Sequence, residues 1–365
     1  MTVLKSLATL EQRLMVLQGQ IWCPAGPAVL RPFAAGKTSE IYLLEWPGSP
    51  EFVVKIPPIA NFHEEEKFLR GYRNILREID LLQRLYGNMF VNRAEIAQYR
   101  CGIPIITFRR RSESVRHLIA NKFVTDDFTR LTVLYMISRG LLMAAEANIH
   151  LHQDLKPENI LIDFVAAAYN DDVLLPIIPR IHDFELANAI IGDQFRGFRP
   201  YLPAEAFKTA LAIVPDNRFD VYSLSVIAHE LLTGGYHPIG IHMSKYASGY
   251  VKPYDREVRW KDWTRHGKRV SDDIPLISDD ILASVTFQAF APEPADRPSM
   301  LELNEAFAEA ASRIDALRWS LTREAIYTME AKSCDEAMRE GRFCDAATTI
   351  LREHWVQPEN MRIFW

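Results

Sequence analysis

Apolar positions along the chain change their spacing partway through it. Between residues 31 and 107 they gather in short runs, at 41–46, 51–56 and the β-branched 104–108, and these predict strands. A charged stretch at 64–85, with apolar residues three and four apart, interrupts them and predicts a helix. From Asp126 onward the spacing of three and four dominates and predicts helices over 128–147, 220–232, 279–290 and 300–316. Within this part 160–164 is a short apolar run and 178–181 reads as strand-like. Leu4, Leu7, Leu10, Leu14 and Leu17 make 1–20 an amphipathic helix, and the prolines of 57–61 mark a loop. The expected fold class is therefore α+β, a small sheet-rich half followed by a larger helical one.

Composition narrows the functional classes. Of 365 residues, 48% are apolar and 24% charged, which excludes disordered and collagen-like chains and suggests about two folding units. The net charge of −5 supplies no global cationic field, so neither nucleic acid nor an anionic membrane is an expected partner. Cys23, Cys101, Cys334 and Cys344 form no CxxC pair, which argues against a zinc site or disulfide framework and for a reducing, cytoplasmic setting. The longest apolar stretch, 131–149, is broken by Arg139 and Glu146, so no membrane span is expected.

The densest chemistry lies in His152-Gln153-Asp154-Leu155-Lys156-Pro157-Glu158-Asn159. A loop with this order holds a carboxylate for a hydroxyl proton, an ammonium for a phosphoryl oxygen and an amide oxygen for Mg²⁺. The octapeptide resembles the catalytic loop of eukaryotic-type protein kinases. Asp183-Phe184-Glu185 follows a strand-like run and is similar to the family's Mg²⁺-binding Asp-Phe-Gly except at its last position. Lys55, ending the apolar run Phe52-Val53-Val54, resembles the family's strand lysine, and Glu78 is the best candidate for its helical partner, ahead of Glu64, Glu65 and Glu66 in a charge run. Ala34, Gly36 and Ser39 fall at the three glycine positions of the phosphate-covering loop, which ends at Ile41. Only Gly36 is kept. A Walker A reading of Gly36-Lys37-Thr38 fails because Arg31 stands where its first glycine belongs. Tyr201-Leu202-Pro203-Ala204-Glu205 is similar to the segment ending in Ala-Pro-Glu. Arg297 stands where the family pairs that Glu, and Asp220 where it braces the catalytic loop.

The resemblance spans residues 31–315 and implies a bilobal protein-kinase-like fold: an N-terminal helical extension (1–20), a β-rich N-lobe (21–118), an α-helical C-lobe (119–315) and a helical C-terminal extension (316–365). It implies ATP with Mg²⁺, or Mn²⁺ in its place, in a cleft, and a protein substrate. Lys55 would hold the α/β phosphates and Glu78 position it. Asp154 would take the hydroxyl proton, Lys156 stabilise the transferring group, and Asn159 and Asp183 bind metal; His152 would pack rather than act as a base.

Departures from the pattern shape further expectations. Gln153 replaces the arginine that grips an activation-loop phosphate, and 183–205 contains no Ser or Thr, leaving Tyr201 as its only hydroxyl. Activity without activation-loop phosphorylation is expected. Phe198 replaces a Thr usual near the catalytic Asp in Ser/Thr kinases, although Lys156-Pro157-Glu158 keeps their signature. Residues 166–175 and 246–270 read as insertions, the second basic and aromatic. Residues 336–346 resemble the middle of a tetratricopeptide repeat, so the extension is expected to form a helical hairpin docked on the large lobe or used for self-association. A pseudokinase scaffold and a small-molecule kinase of the aminoglycoside type are the competing readings.

Overall fold

A computed structural model describes residues 9–21, 29–35, 39–45, 52–61, 64–111, 113–121, 126–164, 175–188, 199–207, 217–243, 276–339 and 341–354. The chain forms two compact units. One comprises Met1–Gly87, Asn92–Arg110 and Cys334–Trp365, the other Asn88–Val91 and Arg111–Ser333.

The first unit opens with α1 (Leu10–Gln18), started by a reciprocal cap in which Thr9 Oγ1 accepts from Gln12 N and Gln12 Oε1 accepts from Thr9 N, both at 3.2 Å. Strands β1 (Val29–Ala35), β2 (Glu40–Glu45) and β3 (Phe52–Ile56) precede α2 (Glu65–Arg84), which is followed by β4 (Ala94–Arg100) and β5 (Ile103–Arg109). The five strands form one antiparallel sheet in the order β1-β2-β3-β5-β4. Leu14 and Leu17 of α1 join Leu44, Val54, Phe68 and Ile105 in its core. Arg13 donates from Nη1 to the Ile59 carbonyl at 2.7 Å. Helix α1 therefore packs as part of this unit.

The second unit carries β6 (Glu113–Ser114), α3 (Val115–Asn121), α4 (Asp127–Glu146), β7 (Ile160–Phe164), β8 (Ile177–Ile181), α5 (Arg218–Leu232), β9 (Tyr236–His237), β10 (Ile241–His242), α6 (Asp280–Gln288), α7 (Met300–Ile314) and α8 (Ala316–Arg339). Strands β6, β7 and β8 pair in that order, and α5 is buried along nearly all its length. At Gly140 of α4 a Cβ would lie 2.7 Å from Phe90 Cβ, so only glycine lets the 88–91 segment approach this closely. The Gly140 carbonyl accepts from Asn88 Nδ2 at 2.8 Å.

The C-terminal hairpin is shared between the units, because the division falls within α8 after Ser333. The earlier part of α8 docks on α4. Trp319 meets Tyr135 edge-on at 4.9 Å, and Arg139 makes a two-pronged bond to Glu330, both contacts at 3.0 Å. The last helix, α9 (Arg342–His354), packs instead against α2 and β4 of the first unit. The division between the units falls after Arg110, where Glu113 already pairs with Ile162, and after Ser333, where Cys334 meets Gly87. Among the described residues no helix is long and apolar enough to cross a membrane.

Candidate active site

Lys55 lies on β3 in the middle of its sheet, in register with Ile41 and Ile106. Its Nζ sits 2.8 Å from Glu78 Oε2, with both side chains under 10% exposed. An ammonium placed in so apolar a sheet needs a counter-charge, and the carboxylate comes from α2, where Ile75, Ile79 and Leu82 form the stripe that fixes the helix on the sheet.

In the second unit the polar residues of 154–159 converge. Lys156 Nζ lies 2.5 Å from Asp154 Oδ2, and Asn159 Nδ2 donates to the Asp154 carbonyl at 2.9 Å and to Asp154 Oδ2 at 3.0 Å. Those two donations orient the Asn159 amide. Asp220, at the start of α5, accepts from His152 N at 2.6 Å and Gln153 N at 3.1 Å. Burial holds the Asp220 carboxyl above its ordinary value, against the opposing pull of the nearby His152 ring and of these two donations. Gln153 (φ 68°) and Asp183 (φ 66°) both occupy the left-handed region, an expense for residues with a Cβ that is seen where a loop is over-determined by its surroundings. His152 is 1% exposed, its ring edge-on to Phe184 at 4.8 Å and its Nε2 3.0 Å from the His182 carbonyl. It packs, and so links the catalytic loop to the Asp183 turn; His182 N donates to the Asn159 carbonyl at 3.0 Å across the same junction.

Glu205 and Arg297 form a buried two-pronged pair, each N–O contact 2.6 Å, although 92 positions separate them. Arg297 also donates to the carbonyls of Ala291, Pro292 and Arg218 and lies 5.2 Å from the Tyr222 ring centre.

A second cluster escapes motif reading. Arg116 of α3 donates to Glu158 Oε1 at 2.9 Å, to Glu230 Oε2 at 2.8 Å and to the Tyr201 hydroxyl, which donates to Glu230 Oε1 at 2.9 Å. It ties Glu158 of the catalytic loop to helix α5 and to the turn before Glu205. No signal marks it, because its members lie dozens of residues apart. Burial pushes the Glu230 carboxyl up to about 7, against the pull of Arg116 and Tyr201. Between its unfolded value of 4.5 and about 7, the folded protein holds a proton that the unfolded chain releases, so stability falls as pH rises through that window. Denaturant titrations at pH 5 and pH 8 are expected to show the wild type losing up to about 3 kcal/mol relative to Glu230→Gln. Parallel losses in the two proteins would contradict the assignment.

Ser39, just before β2, is buried, and Ile41 on β2 is half-buried. Ala34 pairs with Ile41 beyond a register shift in β1. Gly36, Phe198 and the insertions read at 166–175 and 246–270 lie outside the described residues, except Leu175, which is buried.

The family profile described as "Protein kinase domain" matches residues 33–306. Serine/threonine-protein kinase 32C of Mus musculus is 29% identical over 184 residues, 49% of this chain and 36% of its own length. Serine/threonine-protein kinase PknL of Mycobacterium tuberculosis is 28% identical over 243 residues, 65% of this chain and 53% of its own. Serine/threonine-protein kinase VIK of Arabidopsis thaliana is 25% identical over 202 residues, 54% of this chain and 44% of its own. The chain thus spans roughly a third to a half of the length of these relatives.

Proposed function

The chain belongs to the protein kinase family, and from that membership we propose that it transfers the γ-phosphate of ATP to Ser or Thr hydroxyls of a protein substrate. The observation that carries the reading is the Asp154, Lys156 and Asn159 cluster held on the Asp220 carboxylate. In this reading Asp154 orients the acceptor hydroxyl and takes its proton, and Lys156 balances the charge on the transferring oxygens. Lys55, fixed by Glu78, binds the α/β phosphates. Asn159 and Asp183 offer two hard oxygen donors, a set that suits Mg²⁺, or Mn²⁺ in its place. When bound, the ion neutralises phosphate charge. Glu185 adds a carboxylate beside this set, and the ligand itself remains Asp183.

The Glu205–Arg297 pair favours a protein kinase over a small-molecule kinase of the aminoglycoside type, which lacks that segment. Retention of Lys55, Asp154, Asn159 and Asp183 favours catalysis over a scaffold role.

The reading includes independence from activation-loop phosphorylation. Tyr201, the only hydroxyl of 183–205, is 1% exposed and bonded to both Glu230 and Arg116, so it is committed to the fold. Protein shown by mass spectrometry to carry no phosphate in 183–205 is expected to label a protein acceptor, and acid hydrolysis of that acceptor should yield phosphoserine and phosphothreonine. Phosphotyrosine as the main product, or activity strictly dependent on Tyr201 phosphorylation, would overturn it.

A further inference from the structure

The helix that carries Glu78 is held at its other end by the C-terminal helix. Phe343 of α9 is fully buried and stacks on Tyr86, just past the end of α2, with ring centres 5.5 Å apart and planes 9° from parallel. Gln83, in the last turn of α2, donates from Nε2 to Thr348 Oγ1 at 2.7 Å and to the Cys344 carbonyl at 3.3 Å. At the far end of α9, His354 stacks on Tyr99 of β4 at 3.6 Å, and the Tyr99 hydroxyl lies 3.1 Å from that of Tyr72, back on α2. Phe343, Ala347 and Ile350 recur at the spacing of one helical face, and all three are buried. This face of α9 is therefore covered within the chain.

From these contacts we propose that α9 is a positioning element for the Lys55–Glu78 pair, with Phe343 as its anchor. This rests on the kinase reading above. Glu78 and Gln83 lie about 7.5 Å apart along one helix at about 1.5 Å rise per residue, so α2 moves as a rod between them. Wedged between α2 and β4, α9 fixes the slide and rotation of that rod. The pair it serves has a 2.8 Å contact, a distance that a shift of one or two ångströms abolishes.

The test uses the full chain with Phe343→Ala, alone and combined with Glu78→Gln, read by hydrogen exchange of α2 amides and by steady-state kinetics. Phe343→Ala is expected to speed exchange across α2 about tenfold and to lower kcat/KM for ATP about tenfold, with the KM for the protein acceptor unchanged. In the Glu78→Gln background the same change is expected to cost less than about twofold, because the group it acts through is gone. Equal losses in both backgrounds, or unchanged exchange in α2, would overturn the proposal. If Phe343→Ala does not fold, Phe343→Leu takes its place, with smaller effects of the same pattern required. Should the wild type transfer no phosphate, the kinase reading fails by itself, and the exchange measurement still decides whether α9 holds α2.

Discussion

Replacing Asp154 with Ala is expected to lower phosphotransfer about a thousandfold while leaving nucleotide binding nearly unchanged. The carboxylate is the group assigned to the acceptor proton, whereas nucleotide and metal are assigned to Lys55, Asn159 and Asp183. The loop should survive the change. Its backbone is held by Asp220 through the N–H groups of His152 and Gln153, and Asn159 still donates to the carbonyl of residue 154, a 2.9 Å bond that needs no side chain there. Lys156 loses its 2.5 Å partner but is near the surface, where water replaces it. Steady-state rates with a nucleotide-displacement titration check both halves of the prediction. A variant as active as the wild type would refute the mechanism, and one that no longer binds nucleotide would show that Asp154 also supports the metal site.

The largest stability effect is expected at Arg297. Arg297→Ala should cost about 3–5 kcal/mol, because it leaves the buried Glu205 carboxylate without its counter-charge. The carbonyls of Ala291, Pro292 and Arg218 lose donors as well. Removing both charges with Glu205→Met and Arg297→Leu together should recover part of the loss, since an apolar pair escapes the desolvation cost but leaves those carbonyls unpaired. Thermal midpoints of the two variants and the wild type give the order: single variant lowest, double variant between. A single variant melting with the wild type would mean that the pair contributes nothing to the fold.

Which parts of this were legible in the sequence follows from where each element sits. Strands β2, β3 and β5 occupy the middle of the sheet and announce themselves as short apolar runs, β-branched in β3 and β5. The two strands that were missed, β1 and β4, are its edges. Each carries a register shift, β1 at Pro32/Ala34 and β4 at Ala94/Ile96, so neither alternates cleanly. The helix predicted to run through residue 316 ends at Ile314, where Asp315 turns to an extended backbone (φ −155°, ψ 98°) and α8 begins at once. One residue of changed backbone leaves no trace in the apolar spacing. A helical hairpin was readable from 336–346, but Phe343, Ala347 and Ile350 carry no information about which surface covers them.

The site divides in the same way. Asp154, Lys156 and Asn159 lie within six residues, and their chemistry can be read locally. Glu205 and Arg297 could be paired only through resemblance to a family, because no local pattern links a carboxylate to a guanidinium 92 positions away. Arg116 and Glu230 had neither aid: 114 positions apart, they meet only because α3 and α5 bring them together.

The central claim is that this chain is a working protein phosphotransferase. Purified full-length protein incubated with γ-labelled ATP, with and without Mg²⁺, and with a protein acceptor tests it most directly when macromolecular and soluble products are separated. Mg²⁺-dependent label in protein is predicted. Label confined to a small soluble product, or no transfer by a protein that binds nucleotide, would contradict it.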